Sequence, residues 1–216
     1  SEAWQPFAMP WDAAPVNLSF LLDPPAGKHG FLDIQDGKFE FEDGTPARFW
    51  GTTISGVACF PSHDQAPLIA ERLSQLGINL VRLQSMDAPW ADISLFTLHA
   101  NQQLVLNPLA LNRLDYFLYQ LANRGIYAYL DGLDARAAQA GEHIPYFNAI
   151  PLGFPGYIHF VPELRQLHKA FLEEFWSHRS DYTQKEYRDT PSIILTDLFL
   201  ENSFSALPEI HPYYIP

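Results

Sequence analysis

The sequence predicts an α/β protein built on a parallel β-sheet, and three observations support this fold class. Short apolar segments alternate three times with longer segments whose apolar residues recur at helical spacing. A fourth apolar segment, beginning SIIL at Ser192, follows a turn signal that contains Pro191. The longest insertions follow strand ends. Repeated strand-helix units give either an open, doubly wound sheet or a barrel, and these insertions favour the first four units of a (β/α)8 barrel.

The amino-terminal region differs in composition from these units. Residues 1–28 are rich in proline and predict an extended arm that lies over the surface. A hairpin follows, because two Asp-Gly turn signals enclose a run in which Phe39 and Phe41 alternate with charged residues, which is typical of one buried face. We therefore expect two regions, an arm and hairpin over residues 1–48 and the barrel units over residues 49–216.

Each later element has its own pattern. In chain order they are a strand FWGTTIS, a helix with Ile69, Leu73 and Leu76 inward, a strand INLVRLQ, a helix from about Pro108 to Asn123, a strand IYAYLDG, a helix from near Pro162, and a strand beginning SIIL. Ser62 or Asp64 is expected to cap the first helix, and glycines to end the first two. The fourth strand is expected to be buried on both faces, because its apolar run is continuous.

Charge and composition exclude several classes of partner. The chain has 216 residues and a formal net charge of −12, which would be repelled by nucleic acid and by anionic membrane surfaces. No apolar run approaches the roughly 18 residues of a membrane span. Neither metal-ligand spacing nor a nucleotide-binding glycine motif occurs, so we expect no metal and no other cofactor. Cys59 is the single cysteine, which excludes an intrachain disulfide.

One carboxylate stands at a strand end. Glu201 closely follows the fourth apolar segment, at the place where parallel α/β folds keep their chemistry. It is therefore the first candidate for a catalytic acid, and the structural alternative is a solvated loop glutamate.

The aromatic content of 14% is compatible with binding sugar faces as well as with an ordinary core. The connection over residues 132–160 is unusually long, which is typical of functional loops.

Four segments together resemble the N-terminal half of cellulase-like glycoside hydrolases of the large retaining (β/α)8 clan. They are GKHGFLDIQDGKFEFEDGTPARFWGTTIS, FPSHDQAPLIAERLSQLGINLVRLQSMDAPW, NRLDYFLYQLANRGIYAYLDG and DTPSIILTDLFLENSF. The resemblance extends from about Phe7 to Phe204. It implies hydrolysis of O-glycosidic bonds in a β-linked poly- or oligosaccharide by a retaining mechanism with two carboxylates.

The resemblance also assigns roles to individual residues. Glu201 matches the general acid/base after strand four, whereas the family's nucleophile at strand seven lies outside this sequence. Arg82 matches an arginine that supports the catalytic carboxylates, and its structural alternative is a buried ion pair. The residues expected to contact the sugar are Arg82, Trp50, Asp87, Trp90, Asp131 and Asn202. For at least one of the aspartates the alternative is a loop-capping carboxylate, and for Trp90 it is loop packing.

The sequence departs from the family pattern at three places. Leu200 replaces the asparagine expected before the acid/base, Gln84-Ser85 stands where histidines are common, and strand three ends in Asp131-Gly132-Leu133-Asp134 where a histidine is common. Two interpretations follow. The chain is either a fragment of a longer hydrolase or a member of a branch that lost the machinery, which would leave a carbohydrate-binding pseudoenzyme or a structural partner domain.

Four parallel strands would also expose two sheet edges. Unpaired edges and an uncovered apolar face favour association. We therefore expect a carbohydrate substrate and, as protein partner, a C-terminal half-barrel or a second copy of the chain. The polysaccharide hypothesis favours a secreted or periplasmic location, and no signal segment opens this sequence.

Overall fold

The computed structural model describes residues 17–154 and 156–199, and these ranges contain three α-helices and eight strands. The strands are Leu32–Gln35 (β1), Lys38–Phe41 (β2), Gly51–Ser55 (β3), Leu80–Gln84 (β4), Phe96–Leu98 (β5), Leu104–Leu106 (β6), Tyr127–Leu133 (β7) and Ile193–Phe199 (β8). The helices are Ala66–Gln75 (α1), Pro108–Ala122 (α2) and Pro162–Trp176 (α3). None of these three helices is long and apolar enough to cross a bilayer.

Four strands form one parallel sheet in the order β3-β4-β7-β8. The register places Thr53 of β3 beside Arg82 of β4, Arg82 beside Tyr129 of β7, and Tyr129 beside Leu195 of β8. The strands therefore follow one another in chain order, without the reversal that marks a doubly wound sheet. The expected mixed α/β fold with a parallel sheet is confirmed.

The three helices pack on one face of this sheet. Alternate strand residues, among them Val81, Leu83 and Leu130, are fully buried in a core shared with all three helices. The helix residues of that core include Ala66, Ala70, Leu114, Phe117, Leu118, Leu121, Leu164, Phe171 and Phe175. On the other face, Arg82 and Tyr129 are only partly buried, whereas Asp131 is buried. One covered face is typical of barrels, because doubly wound sheets carry helices on both faces.

A small second core lies at the amino-terminal end of the sheet. Phe41 of β2 is buried, and its ring stacks 5.2 Å from that of Tyr127, the first residue of β7. Phe49 contacts Tyr127 edge-on at 5.6 Å. The expectation that Phe39 shares this buried face is wrong, since its side chain is 48% exposed. Phe39 pairs with the exposed Ile34 near the hairpin turn, outside this core.

Helix α1 buries small residues where the sequence pattern indicates large ones. Its buried positions are Ala66, Ala70 and Ser74, whereas Leu76 lies beyond the helix and is 40% exposed. Small side chains let the helix backbone approach its neighbours closely. Of the three residues predicted to face inward, Ile69 and Leu73 are partly buried and pack against the core, and only Leu76 does not.

Two further local features differ from expectation. The N-cap of α1 is Gln65, without a side-chain capping bond, so the predicted caps at Ser62 and Asp64 are wrong. The loop after β4 also contains an antiparallel hairpin, β5–β6, that the sequence pattern did not reveal. Its strands have three residues each, too short to show a clear alternation.

Strand β8 is not buried on both faces as predicted. Ile193 is buried against the helices, but Leu195 and Leu198 are 39% and 52% exposed. Within the described ranges β8 is an edge strand, and the described residues that pack on the face opposite the helices, Phe41 and its neighbours, lie at the amino end of the sheet. An apolar run indicates burial only where another layer packs against it.

A buried carboxylate on α2 anchors the segment that leads into β8. Asp115 accepts a hydrogen bond of 2.7 Å from the Tyr187 hydroxyl, and the Nε2 atom of His178 lies 3.0 Å from its Oδ2 atom. Burial, followed by the charge of Asp115, raises the pKa of Tyr187. The start of β8 is therefore attached to the helical layer by polar as well as apolar contacts.

An imidazole joins the arm to the hairpin. The Nε2 atom of His29 lies 2.8 Å from Asp23, and its Nδ1 atom lies 2.5 Å from Asp43. Lys28 also contacts Asp23. The hydrogen bonds to Asp23 and Asp43 raise the pKa of His29, and the bond from His29 lowers the pKa of Asp43 to about 2. Hydrogen bonds from His29 and Lys28 lower the pKa of Asp23.

This arrangement predicts a pH window for stability. The His29 contribution is fully present below its ordinary pKa of 6.5 and is lost as pH rises through the raised pKa. The aspartate contributions are present above 3.8 and are lost as pH falls towards the lowered values. We expect His29→Gln to lower the thermal unfolding midpoint most between these two pH values. Exposed His99→Gln serves as control, and a pH-independent difference for His29→Gln would contradict the prediction.

Candidate functional site

Charged side chains from three neighbouring strands meet on the sheet face away from the helices. Arg82 of β4 donates from Nε to Asp131 of β7 at 2.8 Å, and from Nη2 to Asp197 of β8 at 2.8 Å. Asp131 and Asp197 are register partners, nearer the carboxyl ends of their strands than the row of Arg82. One guanidinium therefore bridges two carboxylates across two strand interfaces, and we call these three residues the carboxyl-edge cluster.

Burial differs sharply within the carboxyl-edge cluster. The side chain of Asp131 is 1% exposed, that of Arg82 is 26% exposed, and that of Asp197 is 38% exposed. Burial raises the pKa of Asp131, and the hydrogen bond from Arg82 opposes this effect. The same hydrogen bond raises the pKa of Arg82, which therefore keeps its charge. The guanidinium thus offsets part of the cost of burying this carboxylate.

A tyrosine completes the surroundings of the cluster. The guanidinium carbon of Arg82 lies 4.9 Å from the centroid of the Tyr129 ring, within range of a cation–π contact. Burial, followed by a hydrogen bond to Asp197, raises the pKa of the Tyr129 hydroxyl to about 12. Tyr129 therefore remains a neutral donor at physiological pH, and it supports both Arg82 and Asp197.

Gly132 lets β8 approach β7 beside the cluster. A Cβ atom at this position would lie 2.6 Å from the carbonyl oxygen of Asp197 and 2.8 Å from that of Leu198. Real Cβ atoms essentially never come so close to another atom, so a larger residue would push the two strands apart. The glycine is required for the short distance that brings Asp197 within reach of Arg82.

Asp87 holds together the loops after β4 and β7. Its carboxylate is 2% exposed, and the Oδ2 atom accepts backbone hydrogen bonds from Asp134, Ala135 and Arg136 at 2.8 to 3.0 Å. Ser85 also contacts the carboxylate of Asp134. Asp87 therefore caps the loop after β7. Its expected role in binding sugar stays a prediction.

The two candidate tryptophans lie at opposite edges of the sheet. Trp90 follows β4 in the loop at the carboxyl edge and is 69% exposed. Trp50 precedes β3, and its backbone pairs with Asn79, before the start of β4, at the amino edge. Trp50 is 71% exposed. The structure thus brings Arg82 and Asp131 together, with Asp87 and Trp90 in a loop of the same edge, and keeps Trp50 apart from them.

Two of the expected site residues, Glu201 and Asn202, lie outside the residues that the structure describes. The sequence analysis did not select Asp197, which belongs to the cluster, or Tyr129, which contacts it. The sequence nevertheless contained a pattern pointing to each of these two residues. An aspartate inside the apolar run ILTDLFL, as Asp197 is, needs a buried partner. Tyr129 shares the parity of Asp131 in the same strand.

Two cavities lie beside these elements. A cavity of about 560 Å³, mostly apolar, lies between the segment after β3 and helix α1, and is lined by Val57, Phe60, Leu68, Ile69 and neighbouring residues. A polar cavity of about 330 Å³ is lined by Asp87, Asp92, Ser94, Asn107, Gln139 and others, between the β5–β6 hairpin and the loop after β7. In residues 17–154 and 156–199, no three His, Cys, Asp or Glu side chains are grouped so as to hold a metal ion.

Comparison with solved structures identifies barrels that share this fold. A glycoside hydrolase family 5 mannosidase from Rhizomucor miehei matches with a TM-score of 0.60 and 15% identity, over 81% of this chain and 49% of that one. The endo-1,4-β-mannanase from the same organism matches with a TM-score of 0.58 and 16% identity, over 77% and 48%. The endo-β-1,4-mannanase from Thermotoga petrophila gives 0.51 and 16%, over 69% and 34%.

This likeness concerns the fold. The chain spans about half the length of the two Rhizomucor structures that it matches, and about a third of the Thermotoga structure. No protein-family model and no curated protein sequence matches the chain. The resemblance to cellulase-like glycoside hydrolases inferred from the sequence is confirmed at the level of the fold.

The cluster generates a stability prediction. Arg82→Met leaves the buried carboxylate of Asp131 without its counter-charge. We expect the free energy of unfolding to fall by about 3 kcal/mol, at the low end for breaking a buried ion pair, because Arg82 itself is a quarter exposed. Arg124→Met removes a comparable pair with the half-exposed Glu71 and should cost below about 1 kcal/mol. Urea unfolding measures both losses. The double change Arg82→Met with Asp131→Asn should recover part of the loss, and equal losses for the two arginines would contradict the prediction.

Proposed function

We propose that this chain forms the N-terminal half of a (β/α)8 barrel and that the complete protein is a retaining glycoside hydrolase. The carboxyl-edge cluster is the single observation that carries the proposal. In it, two carboxylates and a guanidinium lie on the sheet face that would line the interior of a closed barrel. They are near the carboxyl edge, where barrel enzymes have their active sites. The likeness to family 5 barrels supports the same assignment.

The proposed division of the chain follows from this. Residues 49–216 supply the four βα units, and residues 1–48 supply the arm and the hairpin that packs at the amino end. In the described ranges β3 and β8 are both edge strands. Val57 and Leu68, which line the apolar cavity between the segment after β3 and helix α1, are 48% and 57% exposed. A C-terminal half-barrel would pair both strand edges and cover this surface, and a second copy of the chain is the alternative partner.

The proposed chemistry needs two carboxyl groups about 5 to 5.5 Å apart. Glu201, two residues beyond the end of β8, is the proposed general acid/base that protonates the leaving oxygen. The nucleophile would come from the other half of the barrel. Arg82 would hold negative charge near the anomeric centre, because a guanidinium favours the ionised form of nearby carboxylates. Asp87, Trp90, Asp131 and Asn202 are proposed to contact sugar directly or to support the loops that do.

The substrate class in this proposal is a β-linked poly- or oligosaccharide. Since the solved structures reported above are those of mannanases and a mannosidase, β-1,4-mannan belongs in the first substrate panel. Cellulose and aryl β-glycosides complete it. Activity on this panel identifies the sugar and the linkage.

The central test is a single substitution in the complete native protein. We expect Glu201→Gln to lower kcat at least about 100-fold on an aryl β-glycoside with a poor leaving group, because general acid catalysis contributes that much. Glu209→Gln changes another glutamate of the same segment and should leave kcat within about twofold of the wild type. The first-formed anomer, observed by proton NMR, should retain its configuration. Full activity of Glu201→Gln would refute the assignment.

A second function has its own supporting observation. The guanidinium of Arg82 already pairs with two carboxylates of this chain, so it is less available to a separate nucleophile. Leu200 also replaces the asparagine expected beside the acid/base. These features favour a domain that binds carbohydrate without cleaving it. The exposed Trp90 at the carboxyl edge would then provide an apolar surface for a sugar face.

The two tryptophans provide a matched pair for testing this function. Trp90→Ala should weaken binding of a β-linked oligosaccharide about tenfold, because an aromatic face contributes on that scale. Trp50→Ala, at the opposite edge and equally exposed, should leave affinity unchanged. Isothermal titration calorimetry measures both affinities. Equal effects of the two substitutions would exclude Trp90 as a specific sugar platform.

A further inference from the structure

We propose that the polar cavity between the β5–β6 hairpin and the loop after β7 is a sugar subsite. This inference rests on the proposed function and deepens it, because it gives a place to a sugar unit away from the cleaved bond. Its basis is a cavity of about 330 Å³ whose wall combines hydrogen-bonding groups with an apolar surface. Ligand pockets in proteins have volumes of about 300 to 1,000 Å³, so this one has room for a small unit such as a single sugar ring.

Part of the cavity wall is apolar. Phe96 and Leu98 of β5 and Leu104 of β6 line it, and the register pairs Leu98 with Leu104. Residues two apart on a strand and residues paired across strands share one face, so these three side chains form a single surface. The Phe96 ring is held by its neighbours, since its centroid lies 5.4 Å from that of Phe171 and 4.8 Å from the guanidinium carbon of Arg136. Such a surface can pack against the C–H face of a sugar ring.

Most of the polar groups of the wall are fixed by bonds within the protein. The side-chain amide of Asn107 donates to the carbonyl oxygen of Ser94 at 3.1 Å, and Asp87 accepts backbone amides of the loop after β7. The side-chain amide of Gln103, in the turn of the β5–β6 hairpin, donates to the carbonyl oxygen of Gly141 at 2.9 Å. The two sides of the cavity are therefore joined before any ligand binds, which lowers the cost of ordering them on binding.

Asp92 differs from these fixed groups. It lines the cavity, is exposed, and its carboxylate makes no hydrogen bond or ion pair with any residue that the structure describes. An ionised carboxylate is a strong acceptor for hydroxyl groups. Among the described residues that line the cavity none is Lys, Arg or His, so the charges of Asp87 and Asp92 disfavour an anionic ligand. A neutral ligand rich in hydroxyl donors is the chemical class that this wall fits.

The cavity adjoins the exposed tryptophan of the carboxyl edge. Pro89 and Ala91, the residues on either side of Trp90, both line the cavity, and Asp92 follows directly. A sugar chain that packs on Trp90 would therefore have a neighbouring unit beside the cavity. The subsite consequently predicts that longer oligosaccharides bind more tightly than short ones.

Oligosaccharide length tests the subsite in the complete native protein. We expect β-1,4-mannohexaose or β-1,4-cellohexaose to bind more tightly than the corresponding disaccharide. Asp92→Ala should lower the ratio of hexasaccharide to disaccharide affinity about tenfold, because a hydrogen bond to a charged group contributes on that scale. Leu98→Ala should lower the same ratio about threefold through lost apolar contact. Isothermal titration calorimetry measures these affinities, and it does so whether or not the protein cleaves the sugar.

Two control variants change similar residues outside the cavity. Val105 is paired with Thr97 and therefore lies on the hairpin face opposite Leu98, so Val105→Ala should leave the ratio unchanged. Asp64→Ala, at an exposed carboxylate before α1, should also leave it unchanged. Equal losses in cavity and control variants, or no binding of either hexasaccharide, would overturn the subsite. Full activity of Glu201→Gln would refute the proposed acid, whereas selective losses in Asp92→Ala and Leu98→Ala would still support the subsite.

Discussion

The double ion pair of Arg82 is the interaction on which the arrangement of the carboxyl edge depends. A carboxylate as deeply buried as that of Asp131 is stable only with a counter-charge, and the parallel register supplies it from the next strand. The same guanidinium reaches Asp197, so one side chain links three strands. The strand order β4-β7-β8 is thus fixed electrostatically as well as by backbone hydrogen bonds.

The two faces of the sheet have different physical roles. One face supplies Val81, Leu83 and Leu130 to a core that all three helices share, and this core holds the fold together. The other face is polar towards the carboxyl edge and apolar at the amino edge, where Phe41 and Tyr127 stack. An ion pair and an aromatic stack therefore occupy opposite ends of the face that the helices do not cover.

The loops at the carboxyl edge are tied to one another rather than left free. Asp87 receives three consecutive backbone amides of the next loop, which fixes their mutual position. A buried Arg136–Glu142 pair, with Arg136 4.8 Å from the Phe96 ring centroid, joins that loop to the β5–β6 hairpin. Such connections make a loop surface rigid enough to present groups to a ligand at fixed distances.

The sequence by itself determined the order of the parallel strands and the helices, because periodicity, proline and glycine act locally, but it did not show the short β5–β6 hairpin. It identified the α2 face, the parallel sheet, and Arg82 and Asp131 as neighbours of strand ends. It did not reveal the partner of Arg82, the burial of Asp87 or the opposite placements of Trp50 and Trp90. The partner of Arg82 depends on register, since a shift of one residue turns every side chain to the other face. The burial of Asp87 and the placement of the tryptophans depend on how the loops and strand ends pack. Only the tertiary structure sets that register, and with it the ion pair from β4 to β8.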